Sequence, residues 1–260
     1  MAALGNLLQS YGEGIRLIFG GVAFVLLLLL LCKAIFFPQV LKEEFSNPIG
    51  AGVTATFPMA LMLFSVYAKP FVPGIAFPLW CVAILLQILL LLYFTKTYVL
   101  HFEEKNVHTV WYIVYVGIVV ASLTSPAYKM QALGQGIFYF GFIALLILLV
   151  VVSKRYLKMP VPEPAKPLMM IYAAPMALCT AGYNQAFVLF LLAANSVIYL
   201  FALVKSISFL KLPFYPSYAA FTFPFVISAI ATKQSVMVLG KMGMSLAFMQ
   251  PVVLLETIIA

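Results

Sequence analysis

Apolar residues run in long blocks along this chain, separated by charged residues or by Pro and Gly. Each block is close to the roughly 20 residues a helix needs to cross a bilayer. Nine spans are predicted: 17–37, 50–68, 76–96, 108–125, 134–153, 167–183, 185–204, 215–232 and 238–258. The connections are short. The clearest is 153–166, which is basic and Pro-rich and is expected to be a loop. The pattern predicts one all-α membrane domain over residues 1–260.

Composition sharpens this. Hydrophobic residues make up 65% of the chain and charged residues 8%, which is too few charges to cover a soluble surface. The seven acids are all Glu, with no Asp, which argues against carboxylate metal sites and Asp-centred proton relays. Cys32, Cys81 and Cys179 sit in apolar runs and read as small buried hydrophobes. The net charge of +8 does not point to nucleic acid, because the basic residues are scattered between spans. They read as membrane-flanking anchors. Ten lie on the face that carries the 97–107 and 153–166 loops and five on the other. The positive-inside rule then places those loops and the carboxyl terminus in the cytoplasm, with the amino terminus outside.

Short segments recur. Thr56-Phe57-Pro58 returns as Thr222-Phe223-Pro224, and Pro58-Met59-Ala60-Leu61 returns as Pro175-Met176-Ala177-Leu178. Gly117 falls midway between the first two prolines. Alternate spans therefore carry a Pro or Gly, and the intervening ones (17–37, 76–96, 134–153, 185–204) are smoother Leu-rich runs. This predicts a helical-hairpin repeat. The Pro-broken helices form an inner ring, where freed backbone groups face protein or water, and the smooth helices face lipid.

Asn47-Pro48-Ile49-Gly50 leading to Thr56-Phe57-Pro58-Met59, then Ala173-Ala174-Pro175, then Ala220-Phe221-Thr222-Phe223-Pro224 resemble the tellurite-resistance/dicarboxylate transporter family. That family includes TehA and the plant slow anion channels. The resemblance runs along essentially the whole chain. It implies ten helices in five hairpins around a central pore, a homotrimer with one pore per subunit, and a phenylalanine that blocks the closed pore. Phe223 matches that position. The sequence opens on what resembles only the end of the family's first helix, so the expected count is nine full spans plus a remnant of a tenth. Restoring that helix would move the amino terminus to the cytoplasmic side.

The resemblance and the repeat together give a candidate conduit of Gly52, Phe57, Pro58, Gly117, Pro175, Phe223 and Pro224. None is ionisable. Broken-helix dipoles and unpaired N–H groups attract anions without a fixed cation. Lys69, Lys129 and Lys233 near the mouths either raise the local anion concentration or snorkel to lipid headgroups. His101 and His108 flank a Glu103-Glu104 loop without metal-ligand spacing and read as solvated. Glu256 is the one acid inside a predicted span; interfacial exposure competes with a proton-coupling role. No ionisable cluster at one depth suggests an enzyme, and no cofactor or metal is implied.

The sequence thus predicts a multi-pass cell-membrane protein, expected in a bacterial inner membrane, whose partners are small anions and the lipid bilayer. The anions would be C4-dicarboxylates such as malate, or inorganic ions. The alternatives are a proton-coupled dicarboxylate or tellurite/sulfite exporter of the same fold and a non-conducting truncated homologue.

Overall fold

The computed structural model describes residues 1–182, 187–244 and 246–260. All regular structure among them is helical. In chain order the α-helices are α1 (Ala2–Leu8), α2 (Glu13–Phe36), α3 (Pro38–Ser46), α4 (Pro48–Thr54), α5 (Thr56–Ala68) and α6 (Pro73–Phe94). There follow α7 (Val110–Tyr115), α8 (Val119–Thr124), α9 (Gln131–Lys158), α10 (Ala173–Ala181), α11 (Val188–Phe209), α12 (Thr222–Lys241) and α13 (Gln250–Ile259). Tight 3₁₀ segments, Glu163–Tyr172 and Pro216–Phe221, lead into α10 and α12.

Six of these stretches are long and apolar enough to cross a membrane: 13–36, 48–68, 73–99, 131–158, 188–209 and 216–241. The other three predicted spans take different forms. Residues 110–124 are two short helices, 163–181 couple a 3₁₀ segment to α10, and α13 has only ten residues. The predicted junction of 167–183 and 185–204 falls on 183–186, outside the described residues.

Two boundaries move. Lys233 reads as a break in sequence, yet α12 continues through it to Lys241. The charge is accommodated because Lys233 Nζ donates to the Leu7 carbonyl and to Ser10 Oγ, at 3.1 and 2.6 Å. The chain turns instead at Gly243, whose φ of +85° favours glycine, and Pro251 opens α13. The 238–258 block is therefore divided between α12 and α13. Likewise α9 runs on through Lys154 and Arg155 to Lys158, so the loop begins only at Met159.

The repeated prolines share one register. Pro58, Pro175 and Pro224 are each the third residue of an α-helix: α5, α10 and α12. A first-turn N–H has no intrahelical acceptor, so Pro costs nothing there. Each proline thus falls where α-helical bonding starts afresh after a lead-in segment, with the backbone helical through the junction.

Gly117 does the equivalent work between α7 and α8. A Cβ on it would lie 2.6 Å from Met59 Sδ on α5. The break frees carbonyls on α7, and Gln87 of α6 answers them, its Nε2 donating to Val114 at 2.8 Å and Ile113 at 3.3 Å. A polar side chain on a smooth helix thereby repairs the backbone of a broken one, as the apolar surroundings demand.

α1, α5, α8, α10 and α12 touch in sequence, and α12 returns to α1, closing a ring. In the 48–68 and 216–241 stretches, 44% and 61% of the apolar window is buried, against 22–33% in the stretches holding α2, α6, α9 and α11. The latter four show rows of exposed leucine, isoleucine and phenylalanine. In an aqueous protein such surface would be a liability; facing lipid it is the expected solvent contact. Cys32 and Cys81 lie on these exposed faces, contrary to the burial expected from sequence, while Cys179 is buried in α10.

Candidate functional site

Two cavities lie inside the ring. The larger, of about 400 Å³, is bordered by Phe57, Gly117, Pro175, Phe223 and Pro224, with Met1 and the first residue of α1, Ala2. The smaller, of about 260 Å³, is bordered by Asn6, Gln9, Arg16, Thr124 and Gln234 among apolar neighbours. Four residues border both: Ala3, Leu63, Leu178 and Phe223, one each from α1, α5, α10 and α12. They form the wall between the cavities.

The elements run parallel past this wall. Along α12, Phe223 and Pro224 border the larger cavity and Ile227 to Gln234 the smaller. Along α5 the order is Phe57, Leu63, Val66, and along α7–α8 it is Tyr112, Gly117, Val120, Thr124. In each case the amino-terminal part faces the larger cavity. The positive ends of α5, α10 and α12 therefore converge on it, which favours negative charge there. The same Pro register that starts these helices sets the place of convergence.

Five of the seven sequence-derived conduit residues meet at the larger cavity. Gly52 and Pro58 do not border it. Pro58 is buried at the start of α5. A Cβ on Gly52 would fall 2.6 Å from Val110 Cγ2, so this glycine lets α4 pack closely on α7.

The basic residues are distributed differently from the sequence expectation. Lys69 bonds to the Ala127 carbonyl and lies near Tyr128, and Lys233 bonds to the end of α1. Each serves a helix terminus. Lys129 holds the left-handed turn ahead of α9, with φ of +58°. The cation at the smaller cavity is Arg16, which sequence reading took as a flanking anchor. It is buried, its Nε donates to Asn6 Oδ1 at 3.2 Å, and it pairs with Glu13. The clue available in sequence was its place at the mouth of an apolar block, opposite the polar Asn6 and Gln9 of the same hairpin.

His108 and His101 part company. His101 is exposed, as a loop residue should be, whereas His108 is buried ahead of α7. No group of three or more His, Cys, Asp or Glu is placed to hold a metal among the described residues. Glu256, expected at the interface, is buried within α13's packing against α12.

Among the described residues, the helical ring thus encloses two adjoining cavities, one bordered by polar side chains and the other by helix amino termini. No curated protein matches the chain. A family model described as voltage-dependent anion channel, SLAC1, matches residues 2–259, and the chain belongs to that family.

Proposed function

We propose that the two cavities are halves of one anion conduit and that Phe223 closes it. The observation that carries this reading is the shared wall. Phe223 borders both cavities, and the other three wall residues are aliphatic. A flat aromatic ring in such a constriction blocks by size and by excluding water. On the larger side, helix amino termini attract the ion without a fixed cation to trap it. On the smaller side, Arg16 draws anions toward the wall while Glu13 and Asn6 hold it in place.

The cargo in this reading is a small anion, either inorganic or a C4-dicarboxylate such as malate. The broken 110–124 and 163–181 elements and α13 then count with the six long stretches as nine spans. The charge distribution supports a cytoplasmic face bearing the 97–107 connection, the end of α9 with the segment after it, and the carboxyl terminus. Assembly as a homotrimer rests on family resemblance.

Flux through proteoliposomes tests the reading. Chloride, nitrate, sulfite and malate are supplied in turn, with and without a proton gradient. Phe223→Ala is expected to raise flux of at least one of them, independently of the gradient. Unchanged flux in a folded Phe223→Ala protein removes Phe223 as the gate, and flux that requires the gradient makes the protein a proton-coupled carrier.

A further inference from the structure

α12 presents two distinct faces. One borders the conduit through Phe223, Ile227, Ile230 and Gln234. The other carries Ser228, Thr232 and Ser235, spaced by four and three residues and so aligned along one stripe. None of the three borders either cavity, and α12 packs on α11 and α13 as well as on α10. Asn195 and Tyr199 stand one turn apart on α11, and Glu256 stands on α13.

The register of these helices brings the groups together. α11 runs antiparallel to α12, since the Tyr199 ring packs edge-on against Phe225 at 5.7 Å while Val188 and Leu192 cluster with Leu239. Asn195 then falls beyond Phe225, on the part of α12 that carries Ser228 and Thr232. Glu256 lies near both Thr232 and Tyr199. All six side chains are more than nine-tenths buried.

Among the described residues these groups lack well-formed hydrogen bonds, although the Glu256 carboxylate lies within reach of the Thr232 hydroxyl. Asn195 Nδ2 and Oδ1, the hydroxyls of Tyr199, Ser228, Thr232 and Ser235, and Glu256 Oε2 are all buried without a hydrogen bond. Buried polar groups are nearly always paired, so seven such atoms in one seam call for an occupant. Water can satisfy hydroxyls, but a carboxylate in a membrane interior also needs positive charge. The ion pairs among the described residues use Glu13, Glu44, Glu103 and Glu104, and not Glu256.

The donor set identifies the occupant's chemistry. It offers oxygens from a carboxylate, an amide and hydroxyls, with no thiolate or imidazole. Hard oxygen ligands suit hard cations, and a single carboxylate matches one positive charge better than two. We infer that Glu256, Asn195, Ser228 and Thr232 bind a sodium ion between α11, α12 and α13, behind the conduit helix. Occupancy would fix the helix that carries Phe223 from its far side.

The test uses the purified full-length chain in detergent, with thermal unfolding followed in NaCl and in choline chloride at equal concentration, so that chloride stays constant. Sodium is expected to raise Tm by about 2–4 °C or more as the site saturates. Glu256→Gln is expected to abolish the rise. Thr232→Val keeps the carboxylate and is expected to shift the half-maximal sodium concentration upward by about tenfold, the loss of one ligand being on the order of 1.4 kcal/mol. It decides the matter if Glu256→Gln does not fold. Equal Tm in the two salts overturns the proposal, as does a sodium effect unchanged in both variants. Stability that follows pH but not sodium also overturns it, assigning a proton to Glu256. None of these readouts depends on anion flux, so the conduit reading stands or falls separately.

Discussion

The guanidinium of Arg16 lies 4.4 Å from the ring centroid of Tyr67, and the Tyr67 hydroxyl donates to the Ala2 carbonyl at 2.7 Å. One tyrosine on α5 thus holds both the cation of α2 and the start of α1. The short first helix is tied to the ring by this contact and by Lys233 on α12. Its seven residues complete the ring beside the smaller cavity and contribute Ala3 to the wall.

Arg16 and Glu13 should influence anion passage with opposite signs. Arg16 borders the smaller cavity, and a unit charge about 8 Å from an ion contributes roughly 2 kcal/mol at an effective dielectric of 20. Glu13 offsets part of this. Arg16→Gln is expected to reduce flux several-fold, and Glu13→Gln to increase it, in the same proteoliposome assay. Equal effects of both changes would mean that the pair acts only through folding.

Gly117 is expected to tolerate no side chain. Its missing Cβ makes room for Met59 Sδ, and the same position turns the backbone between α7 and α8. Gly117→Ala should cost about 1–3 kcal/mol, the usual range for overpacking a filled interior. Thermal unfolding in detergent measures it. Gly136→Ala, where a Cβ would meet nothing within 4 Å, is the control and should change little.

Pro224 separates two accounts of the repeat. A proline bending a continuous helix would cost about 3 kcal/mol, and its removal would be strongly stabilising. In third position of α12 it sits where no intrahelical bond is lost. Pro224→Ala should therefore change stability by less than about 1 kcal/mol. A large gain in Tm would restore the kinked-rod reading.

Much of this architecture was legible in the chain. The smooth blocks became the exposed helices and the Pro-bearing ones the inner ring, because the side-chain pattern that faces lipid is local and monotonous. The Thr-Phe-Pro repeat found Phe57 and Phe223, both on the larger cavity. Helix ends were less legible. Lys233 looked like a break because its partners, Leu7 and Ser10, lie more than 200 residues away in sequence. Arg16 looked like an anchor for the same reason, since Tyr67 is on another hairpin. The polar groups near Glu256 come from two other helices, and neither Asn195 nor Ser228 is conspicuous alone.

Gln87 offers the most direct test of how the broken elements are supported. It is fully buried on α6, an otherwise apolar helix, and its amide donates to two carbonyls that the break at Gly117 leaves without helical partners. Gln87→Leu keeps the volume close but leaves those carbonyls buried and unpaired. The expected cost is about 1–3 kcal/mol, read as a lowered Tm. Gln87→Glu should be worse, because a carboxylate cannot donate while ionised and would sit beside two carbonyl oxygens. If Gln87→Leu were neutral, water or a local shift of α7 would be satisfying the break, and the outer helix would serve only to cover it.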